Sequence, residues 1–256
     1  MQPLNRIDFV KLISIAGRFV PLLGFSNSLH GFHNYDVNKE LSVHIFSKYL
    51  QFLDYRIKGE VAVQMGFSGV DLAVRPKGYV LPEQIKIDLP KAVSDINTAG
   101  SHCEMITTSI ENINNSLDVD IIETATKQKI NYYHANWFNY IAGKLFQEPI
   151  AIYKEQIKEL SIFNSNYNII GCYKKHEGKK EGVSFWEIKR ILEYSDLNYF
   201  GTQNDIRHAK TEGDHSWISG FKLLYEHIKV IVLKGFNGVY LMVNGKLLTY
   251  QLIRVC

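Results

Sequence analysis

From residue 41 onward the chain alternates between two hydrophobic patterns. Short runs of β-branched and aromatic residues give way to longer stretches in which apolar positions recur every three or four residues. The first pattern suits a strand and the second a helix buried along one face. Residues 41–46 predict the first strand, and residues 56–65 the first helix, closed by Gly66. Residues 69–74 predict the second strand. Pro82 then opens a helix carrying Ile85, Leu89, Ala92, Val93 and Ile96 on one face, and Gly100 ends it. Further strands are expected over 102–107, 130–134, 168–173, 199–203 and 228–233. Helices are expected between them over 117–128, 149–163, 183–194 and 216–227.

Strand and helix alternate at a spacing of roughly 30 residues, the signature of parallel βαβ units. No Gly-x-Gly-x-x-Gly fingerprint and no P-loop occurs, which removes the nucleotide-binding open sheets from consideration and favours a barrel. After the seventh strand the alternation stops. Residues 239–243 and 246–250 flank Asn244-Gly245, a hairpin signal. The expected fold is therefore α/β, a TIM-type (β/α) barrel over residues 41–256 with about seven βα units and its eighth strand missing. Strands one and seven are then expected to present open edges. The hairpin or a second copy of the chain (a homo-oligomer) is expected to cover them.

The first forty residues read as a leader-like segment and a linker. Asn5-Arg6-Ile7-Asp8-Phe9-Val10-Lys11 precedes an apolar stretch over 12–25 that Arg18 interrupts. This layout is similar to a degenerate twin-arginine leader, with Ile7 in place of the second arginine. If the leader works, the protein is periplasmic or exported; otherwise it is cytoplasmic. Residues 24–39, rich in Asn, Ser, His and Gly, read as the linker.

Composition adds mainly exclusions. With 46% hydrophobic and 21% charged residues the chain is globular, and a formal charge of +3 supplies no field for nucleic acid. Three scattered cysteines give neither a disulfide framework nor a zinc-finger site. Cys103 and Cys172 read as small buried hydrophobes. No apolar run is long enough to span a membrane.

Several ordered segments together resemble the sugar phosphate isomerase/epimerase family of xylose-isomerase-like barrels, and the match covers roughly residues 41–236. They are Ile45-Phe46-Ser47-Lys48-Tyr49-Leu50-Gln51 and the run from Gly66 through Asp71 and Arg75 to Pro76. With them go Val80-Leu81-Pro82-Glu83, Asp88-Leu89-Pro90-Lys91-Ala92, Met105-Ile106-Thr107-Thr108 and Asn204-Asp205-Ile206-Arg207-His208-Ala209. The resemblance implies a divalent metal (Mn²⁺, Mg²⁺ or Zn²⁺) at the carboxyl mouth of the barrel and a small sugar or sugar phosphate as ligand. A carboxylate pair there moves a proton beside the carbonyl, while the metal holds the oxygen as charge develops on it.

Four ligands are usual in that family, and one, Asp205 after strand six, is present. Lys174 stands where the strand-five Glu belongs, Val232 falls near the strand-seven His, and the strand-eight Glu has no counterpart. An ammonium offers no lone pair and repels a dication. A tight metal site of the usual kind is therefore not expected.

The candidate catalytic residues are Asp71, Arg75, Asp205 and His208, with Asp205 also the candidate metal ligand. Asp71 and Arg75 flank the end of strand two, as an acid/base and a hydroxyl or phosphate contact or as a loop-orienting pair. Lys48, His134, Trp137, His176 and Arg207 are candidates for substrate binding. Lys48 would meet a phosphate or carboxylate as a point charge, and Trp137 would stack on a sugar ring. Residues 174–181 form a dense charge run expected as a solvated loop, and Asp205 to His208 are expected in an irregular loop. The functional expectation is a sugar or sugar phosphate isomerase/epimerase. The rivals are a non-catalytic carbohydrate-binding relative or truncated gene product and, last, a DNA phosphodiesterase of the same superfamily, whose zinc-cluster ligands are lacking.

Overall fold

The computed structural model describes residues 42–145, 147–176, 180 and 182–233, with three short strands beyond them. The leader-like segment and linker lie outside the described residues, as do Glu177 and the two turn residues Asn244 and Gly245.

Seven parallel strands form the wall of a TIM-type barrel: β1 (Val43–Phe46), β2 (Gly69–Val74), β3 (Met105–Thr108), β4 (Tyr132–His134), β5 (Ile170–Lys174), β6 (Phe200–Asp205) and β7 (Ile228–Val232). Each neighbouring pair from β1–β2 to β6–β7 is parallel. The helices between them are α1 (Tyr55–Gln64), α2 (Ile85–Thr98), α3 (Ser116–Lys127), α4 (Gln147–Tyr167) and α5 (Phe185–Ile191). Helices α6 (Ile206–Gly213) and α7 (Trp217–Leu223) follow β6. The expected α2 face is the observed one: Ile85, Leu89, Ala92, Val93 and Ile96 are all buried. Gly100 closes that helix at φ +78°, a conformation glycine adopts without penalty.

Strand parity divides the interior into two apolar clusters. The large one lies between barrel and helices and includes Val70, Leu72, Val74, Tyr133, Tyr173 and Phe200. The small one, Met105, Cys172 and Val230, fills the middle of the barrel itself. His44 occupies the floor below it, fully buried, and a Cβ on Gly69 would lie 2.2 Å from its ring. Residue 69 must therefore be glycine for the floor to close.

The expectation of open edges on β1 and β7 is corrected. A two-residue strand, β10 (Arg254–Val255), pairs antiparallel with β1 and with β7 and closes the ring. Backbone groups left over by seven parallel strands must still find partners, and this short antiparallel strand supplies some of them. The expected hairpin is present: β8 (Leu241–Val243) pairs antiparallel with β9 (Lys246–Leu248) across a two-residue connection.

Two loop expectations are also corrected. Asp205 to His208 is not irregular, because Asp205 caps α6 by accepting from the His208 backbone N–H. The helix expected over 216–227 is correspondingly broken into α7 and flanking single turns. Lys174 and Lys175, expected in a solvated loop, are both buried. Lys174 is the last residue of β5 and Lys175 follows it directly, its N–H still donating to the Gln203 carbonyl, so the two side chains point to opposite faces. Lys174 faces Asp205, whereas Lys175 donates to the Val183 carbonyl and lies 5.1 Å from the Phe185 ring. Among the described residues no helix is long and apolar enough to cross a membrane.

Candidate functional site at the carboxyl mouth

From β2 to β6 the inward positions at the carboxyl ends of the strands are polar, in contrast to the apolar layer beneath them. Asp71 from β2, Thr107 from β3, His134 from β4, Lys174 from β5 and Asp205 from β6 are all buried there. This is the end at which barrel enzymes place their chemistry, because the βα loops above it vary without disturbing the wall. Thr107 Oγ1 donates to both oxygens of Asp71, at 2.9 and 3.2 Å.

Asp205 is the hub of the far side. One carboxylate oxygen caps α6, while Oδ2 lies 3.6 Å from Lys174 Nζ and 3.4 Å from His208 Nε2. The capping geometry brings His208 to Asp205: three residues on from an N-cap is one helical turn, so the side chain folds back over the carboxylate. Val232, level with Asp205 on β7, contributes nothing polar.

A row of rings crosses the mouth. His134 meets Trp137 edge-on at 5.0 Å between centroids, Trp137 meets His176 at 4.7 Å, and His176 meets His208 at 4.9 Å. Lys174 Nζ lies 5.8 Å from the Trp137 ring. Burial holds the His134 imidazole well below the usual histidine range, and the cations Lys174 and Arg75 push it further down. It is thus neutral at neutral pH. Neither of its ring nitrogens, nor Trp137 Nε1, makes a hydrogen bond among the described residues. A buried polar atom without a partner costs about 1–3 kcal/mol, so these groups are suited to a polar ligand.

Beside the mouth, between the turn after β1 and the loop after β2, lies a recess whose lining includes Ser47, Lys48, Gln51, Arg75, Lys77 and Tyr79. Among the described residues no carboxylate lies within ion-pair distance of Lys48, Arg75 or Lys77.

The structure thus gathers His134, Trp137, His176, Asp205 and His208 into one row, with Asp71 on the same inner surface. Lys48 and Arg75 share the recess. Arg207 is half-buried on α6, one residue before His208, and no side-chain partner is found for it among the described residues. Two contributors escaped the sequence reading as site residues. Thr107 shows itself only through parity with Met105 on β3. Lys174 shares parity with Cys172 on β5, a signal that was available.

A divalent metal does not fit this arrangement. The single carboxylate the resemblance assigns to it, Asp205, already faces an ammonium, and β5 and β7 supply Lys174 and Val232 where donors would be needed. Among the described residues no three His, Cys, Asp or Glu side chains gather at metal-binding distance.

Comparison with solved structures follows the same fold. The chain is similar to the probable 3-DHS dehydratase AsbF, involved in petrobactin synthesis, from Bacillus anthracis, with a TM-score of 0.58 and 12% identity over 78% of this chain and 77% of that one. It is similar to D-psicose 3-epimerase, with a TM-score of 0.57 and 12% identity over 77% of this chain and 74% of that one. A sugar phosphate isomerase/epimerase from Parabacteroides distasonis ATCC 8503 gives a TM-score of 0.57 and 8% identity over 78% and 77% of the two chains. No protein-family model matches the chain, and no curated protein matches it by sequence. At these identities the likeness establishes the fold alone, a TIM-type barrel.

Proposed function

We propose that the carboxyl mouth binds a small sugar or sugar phosphate and moves a proton beside its carbonyl, as an isomerase or epimerase does. The observation that carries this reading is the convergence of Asp71, His134, Lys174 and Asp205, from four strands, on the mouth of the barrel. Orphaned nitrogens of His134 and Trp137 beside them await hydroxyl groups. Two of the similar structures named above are an epimerase and a sugar phosphate isomerase/epimerase, which agrees with the reading.

A carbon-bound proton beside a carbonyl is weakly acidic. Its removal needs a base within reach and a positive or hydrogen-bonding group on the oxygen that becomes negative. Asp71, oriented by Thr107, serves as the base. The Lys174 ammonium and the neutral His134 imidazole hold the oxygen. His208, steadied by Asp205, carries the proton to or from a neighbouring hydroxyl. In an isomerisation Asp71 returns the proton to the adjacent carbon on the same face. In an epimerisation Asp71 keeps the proton it removed and His208 delivers its own to the opposite face, the two then exchanging with solvent, so no other reactant is required.

Trp137 packs against the apolar face of the sugar, and His176 and Arg207 reach its hydroxyls. Lys48 and Arg75, with Lys77, hold a phosphate in the recess. Thermal melts of the full chain with neutral sugars and with their phosphates test this assignment. A phosphate at a hundred times its Kd is expected to stabilise by about 2.7 kcal/mol, a rise of roughly 5–10 °C. The corresponding neutral sugar is expected to do less, and Arg75→Ala with Lys48→Ala to erase the difference. No response to any sugar or phosphate would remove the reading.

A second reading, a non-catalytic carbohydrate-binding relative, draws on the internal partners that Asp71 and Asp205 already have. Ligand binding without exchange of the carbonyl-adjacent proton into D₂O would favour it.

A further inference from the structure

We infer that the ammonium of Lys174 is the resident cation of this mouth, standing where the resemblance would seat a divalent metal and leaving the site without affinity for one. Lys174 ends β5 on the inward face, its side chain 7% exposed, and points at Asp205 across the neighbouring strand. Asp205 is fully buried, so its charge needs a compensating one. That charge comes from Lys174 at 3.6 Å, and the His208 imidazole closes on the same oxygen at 3.4 Å. The ammonium is itself held between Asp205 and the Trp137 ring. A dication brought to Asp205 would have to displace this ammonium or tolerate it within a few ångströms, with no lone pair gained from β5 or β7. Every role a metal has toward Asp205 is filled by a group that chelators cannot remove.

The inference concerns metal affinity alone and stands apart from the substrate reading, which ligand melts and proton exchange test. The probe is Mn²⁺ on chelator-stripped full-length protein, followed by loss of the free-ion electron paramagnetic resonance signal and by thermal melts. The wild-type chain is expected to leave the signal and the melt unchanged up to millimolar Mn²⁺. Lys174→Glu, which exchanges the ammonium for a carboxylate beside Asp205, is expected to bind Mn²⁺ at least about tenfold more tightly, the scale on which single groups tune metal sites. Lys174→His offers a neutral nitrogen donor and carries the test if the Glu variant does not fold. Lys174→Met, which removes the charge and adds no donor, is expected to stay without metal.

Micromolar binding by the wild type, abolished by Asp205→Asn, would overturn the inference. So would folded Lys174→Glu and Lys174→His variants that bind no better than wild type. Should neither variant fold, the wild-type titration with its Asp205→Asn control decides by itself.

Discussion

Asp205 has two consequences at the scale of single residues, one for stability and one for pH. It caps α6 and pairs with Lys174 inside the barrel, so Asp205→Ala leaves a buried ammonium alone and is expected to cost about 3–5 kcal/mol in chemical denaturation. Replacing both partners, as in Asp205→Leu with Lys174→Met, is expected to recover most of that loss, leaving about 1 kcal/mol for the missing cap. Additive losses in the double variant would show that the two groups do not interact. His134 sets an acid limit. Its folded-state pKa lies well below 6.5, so as pH falls through 6.5 the unfolded chain takes up a proton that the folded chain refuses. The stability contributed by neutral His134 is present above pH 6.5 and falls below it. His44 and His227 are shifted in the same direction by burial. Denaturation midpoints are expected to drop between pH 7.5 and pH 5, and less steeply in His134→Gln. Lys58 acts at the other end of the scale. It is buried under the Tyr79 ring, and burial pulls its ammonium down from 10.5 to about 7. Above pH 7 the folded chain releases this proton while the unfolded chain keeps it, so stability is expected to rise toward pH 10, and Lys58→Met to lose that rise.

At the scale of elements, the readable features were those that local chemistry dictates. The apolar face of α2 and the strand Gly69–Val74 were read correctly because periodicity and flanking Pro82 and Gly100 agreed. Helix α6 escapes a reading by apolar content for a physical reason: Ile206 and Ala209 are its only apolar side chains, so the segment resembles a charged loop, and the capping role of Asp205 announces it. The charge density at Lys174 and Lys175 points to a loop, yet the last residue of β5 and the one after it bury one lysine inward and one outward because each finds an acceptor. Strand β10 was not legible at all, since two residues carry no period. Its contribution is testable through the backbone: Arg254→Pro removes the donor N–H and is expected to lower the melting temperature and promote self-association of the exposed β1 and β7 edges, read by sedimentation. An unchanged melt and an unchanged sedimentation profile would show that the closure contributes nothing.

At the scale of the molecule, a closed ring of seven parallel strands and one short antiparallel strand encloses an apolar middle, an imidazole floor and a polar mouth. The family resemblance in the sequence anticipated the architecture and the position of the mouth. It could not anticipate that His134, Trp137, His176 and His208 form one row, because those residues are brought together by the end of β4, the loops after β4 and β5, and a helix cap. Nor could spacing reveal that Lys174, which the resemblance puts in the strand-five ligand position, faces Asp205 at 3.6 Å, since that depends on two neighbouring strands in register. We propose that this mouth moves a proton beside the carbonyl of a small sugar or sugar phosphate. The most direct measurement is proton NMR of aldose and ketose phosphates incubated in D₂O with the chelator-stripped full-length chain. The signal of the carbonyl-adjacent proton is expected to disappear for at least one sugar, and to persist with Asp71→Asn or Lys174→Met. Retention of that proton in every sugar tested, with the wild-type chain folded, would contradict it.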